Sequence, residues 1–314
     1  MFSNLLVYIT HPHVDTWNFK SRQRDRIQSA FPALNIHICP NSKEFRDRLP
    51  RAEAVIVWYF KEEWLETAPN LKLIATPAAG ADWMDLPQGN QNLRVWYGGF
   101  HGPMIAESVT GAIFYFCKEF HLSREMQKKK KWGAIKISSE IESLYRKNVT
   151  ILGFGRIGNA IARVLKPFGC RITGVKRTPC DPPEYFSEGD RVLTIDRLEE
   201  ALKETDHLVM VLPGGTETDG LFRRGYFKAL PEHCCIYNVG RGNIYKESDL
   251  VEALLEREIA GAYLDVFETE PLPATSELWE MDNVLIQPHL SAASPHYLDL
   301  FAEEFVERLK NEMG

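Results

Sequence analysis

The residues best suited to chemistry in this 314-residue chain lie in its second half. Gly153, Gly155 and Gly158 form a G-x-G-x-x-G turn within LGFGRIG. The apolar run 149–152 precedes it, and Ile157, Ile161, Val164 and Leu165 follow at helical spacing. A second apolar run, 171–175, comes after the stop signals Pro167 and Gly169. In such a strand, helix, strand unit the first glycine permits a tight turn, the second lets the backbone approach a pyrophosphate and the third lets helix and strand pack closely. The pyrophosphate then sits on the helix N-terminus. The glycines alone are weak evidence, but here the flanking elements are those the mechanism requires. Three ionisable residues stand at or just after later apolar runs: Arg241 in NVGRG, Glu270 in DVFETEP and His289 in QPHLSAAS. A guanidinium offers paired donors that match a carboxylate at two points, and histidine can hold and return a proton near neutral pH. Taken singly, each has an ordinary explanation as a turn arginine, a solvated glutamate or a loop histidine. Their order beside a dinucleotide unit gives them weight.

These residues need elements to position them. Short apolar runs at 5–9, 36–39, 54–58, 71–75 and 93–96, separated by amphipathic stretches at 19–31 and 42–49, read as a small α/β domain with a parallel sheet. PAAGA, 77–81, interrupts after the fourth run, and its small residues would expose backbone N–H groups suited to an anion. Pro103 opens a long helical pattern through Met104, Ile105, Val109, Ile113, Phe116 and Phe120. Beyond the glycine turn, strands are expected at 192–195, 208–212, 235–239, 261–266 and 284–287, with helices at 196–205 and 247–258. The amphipathic segment 297–309 has no strand after it and is expected to pack back on the first domain. The expectation is therefore an α/β protein of two Rossmann/flavodoxin-like doubly wound parallel-sheet domains. The first is discontinuous, 1–103 plus 290–314, and the second spans 104–289. Ligands should bind beyond the carboxyl ends of the strands.

Composition narrows the partners. A formal net charge of −6 disfavours a nucleic acid or an anionic membrane, and the one basic run, 128–131, reads as a solvated helix end. The six cysteines lack metal-ligand spacing and read as reduced core thiols. His11 and His13 lack an evident third ligand, so no metal is expected. The N-terminus MFSNLLVYIT has no basic n-region or long h-region, and no apolar stretch reaches membrane length. A cytoplasmic protein is expected.

LGFGRIG, VLPGGTET, NVGRG, GAYLDVFETEPLP and QPH, in this order, resemble the D-isomer-specific 2-hydroxyacid dehydrogenases, in the glyoxylate/hydroxypyruvate reductase-like branch. PAAGADWMDL and IAESV look like the family's substrate-loop and bridging-helix segments, so the resemblance spans the chain. It implies that the first domain binds substrate, with Arg241 as carboxylate anchor, His289 as acid/base and Glu270 as its partner. The N–H groups of Ala79 and Gly80 would hold the substrate carboxylate in a cleft between the domains. Trp58, Trp83 and Trp96 fall near first-domain strand ends, to shape a pocket or to pack the core. The implied dinucleotide contacts are Gly153, Gly155, Arg156, Ile157, Gly158, Lys176, Arg177, Thr178, Leu212, Pro213, Thr218, Val239, Gly240, Asp265 and His289. A homodimer is also implied.

One departure from the family pattern concerns the cofactor. An NAD site of this type usually ends its second strand with an acidic residue for the ribose 2′-hydroxyl. Here Lys176, Arg177 and Thr178 follow Val175. Two cations and a hydroxyl would bind a 2′-phosphate that a carboxylate would repel, so NADP(H) is the expected cofactor and NAD(H) the second candidate. The expected function is reduction of small 2-oxo acids, glyoxylate or hydroxypyruvate first, to D-2-hydroxy acids. With only a short tail after the last helix, the regulatory domain of longer phosphoglycerate dehydrogenases is not expected. Formate dehydrogenases of the superfamily carry glutamine where Glu270 stands, which speaks against that chemistry. Two other readings stay open: a nucleotide-sensing, corepressor-like binding module on the same fold, and oxidation of a non-carbon substrate such as phosphite.

Overall fold

The computed structural model describes residues 2–81, 84–86 and 93–312. The chain divides into two units, Met1–His101 with Ala293–Gly314, and Gly102–Ala292. In the first unit the apolar runs become β1 (Asn4–Tyr8), β2 (Asn35–Ile38), β3 (Ala54–Val57), β4 (Leu73–Thr76) and β5 (Arg94–Tyr97), with α1 (Ser21–Ala30) and α2 (Ser42–Arg48) between the early strands. All strand pairs are parallel, in the order β2-β1-β3-β4-β5. β3 and β4 are wholly buried, as expected of parallel strands covered on both faces. One side of this sheet packs Phe45, Leu49, Phe60, Trp64 and Ile74 into a core.

The second unit contains α3 (Gly102–Cys117), α4 (Phe120–Lys128), α5 (Ala134–Ser138), β6 (Asn148–Leu152), α6 (Arg156–Leu165), β7 (Arg171–Lys176), β8 (Arg191–Thr194), α7 (Leu198–Leu202), β9 (His207–Met210), α8 (Arg224–Ala229), β10 (Cys235–Asn238), α9 (Glu247–Leu255), β11 (Gly261–Leu264) and β12 (Val284–Ile286). Its seven parallel strands run β12-β11-β10-β9-β6-β7-β8. From β6 the chain winds outward through β7 and β8, then returns to the other side at β9. The order therefore reverses between β6 and β9, the switch point at which such sheets bind ligands. Separate cores cover the two faces, one through Phe222, Phe227 and Leu254, the other through Val109, Ile161 and Leu165. α10 (Tyr297–Asn311) returns to the first unit, where Phe305 meets Trp96 at a ring separation of 5.6 Å.

The long helical pattern expected through Phe120 stops at Cys117. Glu119 adopts a left-handed backbone with φ 50°, and the Cys117 carbonyl accepts the N–H of Glu142. Phe120 then starts α4 and is 53% exposed. Five cysteines are buried and Cys180 is exposed. Among the described residues no helix is long and apolar enough to cross a membrane.

One polar group lies deep in the second unit. His207, 5% exposed at the start of β9, bonds the Tyr237 hydroxyl through Nδ1 at 3.0 Å and approaches Cys117 Sγ through Nε2 at 3.6 Å. Burial pushes its pKa down to about 4, because the charged imidazole is disfavoured away from water. A depressed folded pKa contributes stability above the unfolded value, near 6.5, that is lost as pH falls toward 4. The protein should therefore lose roughly 3 kcal/mol across that window through this group alone. In His207→Gln the pH dependence of denaturant unfolding between pH 7 and 4 should be markedly flatter; an unchanged slope would contradict the assignment.

Candidate active site

The glycine turn follows β6. Gly153 has φ +101°, and an added Cβ would lie 2.6 Å from the Val211 carbonyl, so this position needs glycine both for its conformation and for the close passage of the chain leaving β9. A Cβ on Gly158 would meet the Gly153 carbonyl at 2.6 Å, the tight helix-to-strand packing expected of the third glycine. Gly155 differs, because a Cβ there would point into open space. It caps the N-terminus of α6, whose first-turn N–H groups, from Arg156 and Ile157 onward, have no partner within the helix. An open cradle at the start of a ten-residue helix fits the pyrophosphate of a dinucleotide. The neighbouring loops leave the same edge of the sheet. Leu212 is half-buried and Pro213 exposed, and Thr218 bonds back to the Pro213 and Gly215 carbonyls at 2.7 and 3.0 Å. Lys176 ends β7, Thr178 is exposed, and Arg177 pairs with Glu217 of the next loop, both side chains being 74% exposed. An exposed pair of this kind contributes about 0–1 kcal/mol, so it is little obstacle to another anion.

β10 and β11 carry the ionisable residues. The two glycines flanking Arg241 are each forced by a backbone crossing. A Cβ on Gly240 would meet the Leu212 carbonyl at 2.6 Å, and one on Gly242 would collide with the backbone of Phe267. The loops after β9, β10 and β11 thus touch main chain to main chain, with Arg241 held between them. Asn238, wholly buried, completes the turn. Its amide donates to the Arg241 carbonyl at 2.9 Å and to the Tyr245 hydroxyl at 3.0 Å, while its oxygen accepts the Gly240 N–H at 3.1 Å. Arg241 donates to the Gly240 carbonyl at 2.7 Å. Asn238 was not singled out from the sequence, although an amide inside the apolar run CIYNV is the signal that could have found it.

Glu270 and His289 meet directly. His289 Nδ1 lies 2.8 Å from Glu270 Oε2, with side chains 40% and 37% exposed. The other carboxylate oxygen accepts the Phe267 N–H at 3.1 Å. Burial would raise the Glu270 pKa, but the bond and charge of His289, the Phe267 N–H and the nearby Arg241 outweigh it and hold the carboxyl below its usual range. Ionised at neutral pH, Glu270 accepts a hydrogen bond from Nδ1–H and leaves Nε2 as the nitrogen free to exchange a proton with a ligand. His289 itself has φ 54°, an uncommon conformation for any residue but glycine. Asp265, 1% exposed, imposes it. Its carbonyl accepts the His289 N–H at 2.8 Å, and its carboxylate accepts those of Leu290 at 2.7 Å and Ser291 at 3.0 Å. Ser108 of α3 bonds the Ser291 carbonyl at 2.8 Å. Asp265, read from the sequence as a dinucleotide contact, thus has its carboxylate turned into this loop. Val239 is 7% exposed.

In the other unit, Ala79 and Gly80 follow β4 at its carboxyl end. Ala78 is tied down on both sides, donating to Thr76 Oγ1 at 3.2 Å and accepting the Gly98 N–H at 2.9 Å. The N–H groups of Ala79 and Gly80 donate to no described residue. Trp58 bonds the Trp17 carbonyl at 3.3 Å, Trp96 is a core residue at 8% exposure, and Trp83 lies outside the described residues. His11 Nδ1 accepts the Val14 N–H at 3.0 Å, and no His, Cys, Asp or Glu group fit to hold a metal occurs among the described residues.

Comparison with known proteins places this geometry. The family model for the D-isomer-specific 2-hydroxyacid dehydrogenase, NAD-binding domain, matches residues 110–291. A glyoxylate reductase of Thermococcus onnurineus is 33% identical over 245 residues, 74% of this chain and 70% of its own. The human glyoxylate reductase/hydroxypyruvate reductase is 31% identical over 231 residues, 72% of this chain and 69% of its own. The crystal structure of a D-isomer-specific 2-hydroxyacid dehydrogenase from Xanthobacter autotrophicus, in complex with NADPH and MES, superposes with a TM-score of 0.80 at 27% identity, over 99% of this chain and 96% of that one.

The Asn238 network yields a direct test. Asn238→Ala strands two buried partners, the Gly240 N–H and the Tyr245 hydroxyl, and should cost about 1–3 kcal/mol in denaturant unfolding. A loss below a few tenths would mean that the turn carrying Arg241 holds its shape without the amide.

Proposed function

Because the chain belongs to the D-isomer-specific 2-hydroxyacid dehydrogenase family, and so to the NAD(P)-dependent dehydrogenases, we propose that it reduces small 2-oxo acids, of glyoxylate or hydroxypyruvate type, to D-2-hydroxy acids with NADPH. The observation that carries this reading is the His289–Glu270 contact at 2.8 Å, with Arg241 close enough to act on the same carboxylate. The bound nicotinamide supplies the hydride.

The protein's own groups do the rest. Arg241 anchors the carboxylate or the 2-oxo group through paired donors, a fit that lysine cannot reproduce. Glu270 accepts the Nδ1–H hydrogen bond, which fixes the orientation of the ring and leaves Nε2 as the nitrogen that exchanges the proton. His289 Nε2 then gives its proton to the carbonyl oxygen as that oxygen gains charge, and in the reverse direction the neutral ring takes the hydroxyl proton. Ala79 and Gly80 would receive the substrate carboxylate through N–H groups that donate to no described residue, which makes the unit containing them the substrate-binding domain. Named relatives support the substrate class: several are glyoxylate or glyoxylate/hydroxypyruvate reductases. The Xanthobacter structure was determined with NADPH, and a probable 2-hydroxyacid dehydrogenase from Rhizobium etli, 26% identical with a TM-score of 0.77, with NADP. Lys176, Arg177 and Thr178 would bind the 2′-phosphate, Arg177 exchanging Glu217 for it.

The test is oxidation of NADPH and NADH by the purified protein, with glyoxylate, hydroxypyruvate, pyruvate and larger 2-oxo acids, before and after replacing Lys176 and Arg177 by glutamine. The replacements should weaken NADPH about 10- to 100-fold and leave NADH nearly unchanged. Equal losses for both would refute the 2′-phosphate assignment. Cofactor binding without turnover of any 2-oxo acid would return the binding-module reading.

A further inference from the structure

The segment that carries Ala79 and Gly80 is held by the last helix of its own unit. Tyr297, the first residue of α10 and 4% exposed, lies with its hydroxyl 3.2 Å from the Pro77 carbonyl and 2.9 Å from His101 Nε2. A carbonyl can only accept and a phenol has one proton to give. The hydroxyl therefore donates to Pro77, and His101 Nε2–H donates to the hydroxyl oxygen. Farther along the helix, Glu304 accepts the Gly99 N–H at 2.8 Å and Arg308 donates to the Tyr97 carbonyl at 2.9 Å. Positions 297, 304 and 308 are seven and four apart, on one face of the helix. Gly98 closes the arrangement, bonding the Ala78 carbonyl. A Cβ at Gly98 would press on the Pro77 carbonyl and lie 2.9 Å from the rings of His101 and Phe100. The 77–80 segment is thus bonded to 97–99, and both are bonded to α10. Behind the phenol, the Tyr297 ring packs on Phe100 at 4.9 Å and on Trp17 and Trp58 at 6.0 Å each.

We propose that Tyr297 is a positioning residue for the substrate carboxylate, its hydroxyl fixing the Pro77–Gly80 backbone so that the Ala79 and Gly80 N–H groups stand ready for the anion. The inference rests on the reading that these two N–H groups receive the substrate. The hydroxyl never touches substrate. It replaces a mobile loop with a prepared one, so the ordering cost is met on folding instead of on binding. A role of this kind acts on acid binding and leaves the dinucleotide alone.

Tyr297→Phe keeps the ring and removes only the hydroxyl. The KM for glyoxylate should rise roughly five- to tenfold, with kcat changed less than KM and the NADPH Kd, read by fluorescence titration, unchanged. Gly98→Ala reaches the same carbonyl from the other side without touching α10 and should raise KM in the same way; it decides alone if the first variant does not fold. A lowered melting temperature with KM intact in both variants would make Tyr297 a packing residue only and overturn the inference. Ala79→Pro, which removes one N–H, separates the two claims. If it leaves KM unchanged, the substrate-amide reading itself is wrong. If it raises KM while Tyr297→Phe does not, only the role of Tyr297 fails.

Discussion

A single buried carboxylate organises the loop that carries His289. Asp265 stands at the end of β11 at 1% exposure, and burial pushes its pKa upward even against the N–H groups of Leu290 and Ser291. That expenditure makes sense because the same residue, through main chain and side chain together, holds three consecutive N–H groups, those of His289, Leu290 and Ser291. Three donors converging on one residue can hold a histidine at positive φ, a conformation worth of order 1–3 kcal/mol of strain that persists only where the surroundings over-determine it. With the backbone so held, Nδ1 falls within 2.8 Å of Glu270 and Nε2 is left for chemistry. The His289 ring is thus oriented by the fold itself.

The same economy governs the other loops. Strands β6, β9, β10 and β11 are neighbours in one parallel sheet, so the chain must leave all four at the same edge. Side chains would keep those exits apart. Glycines at 153, 240 and 242 let them touch backbone to backbone, which brings the dinucleotide turn, Arg241 and the loop before Glu270 into one small region. Gly155 is open where those three are crowded.

Much of this was legible in the sequence. Parallel strands buried on both faces read as continuous apolar runs, so the two sheets and the discontinuous first unit follow from the pattern of such runs. Arg241, Glu270 and His289 were visible because motif order places them at strand ends. What stayed hidden depends on contacts distant in the chain. Asn238 looked like part of a strand, Tyr297 like the first apolar residue of a terminal helix, and the hold of Asp265 on the 289–291 loop gave no sign, because a hydrogen bond to Gly240, Pro77 or Leu290 has no local periodicity. The end of α3 at Cys117 was missed for a related reason. The apolar spacing continues to Phe120, and only the left-handed backbone at Glu119 interrupts it.

The central claim is that His289 holds the proton that the carbonyl oxygen receives. The most direct measurement is single-turnover hydride transfer from NADPH to glyoxylate in His289→Gln, beside NADPH binding to the same variant. Loss of a positioned acid should slow transfer by about 10²- to 10⁴-fold while NADPH binds as before. Transfer within a few-fold of the parent rate would show that the proton comes from elsewhere and would contradict the account.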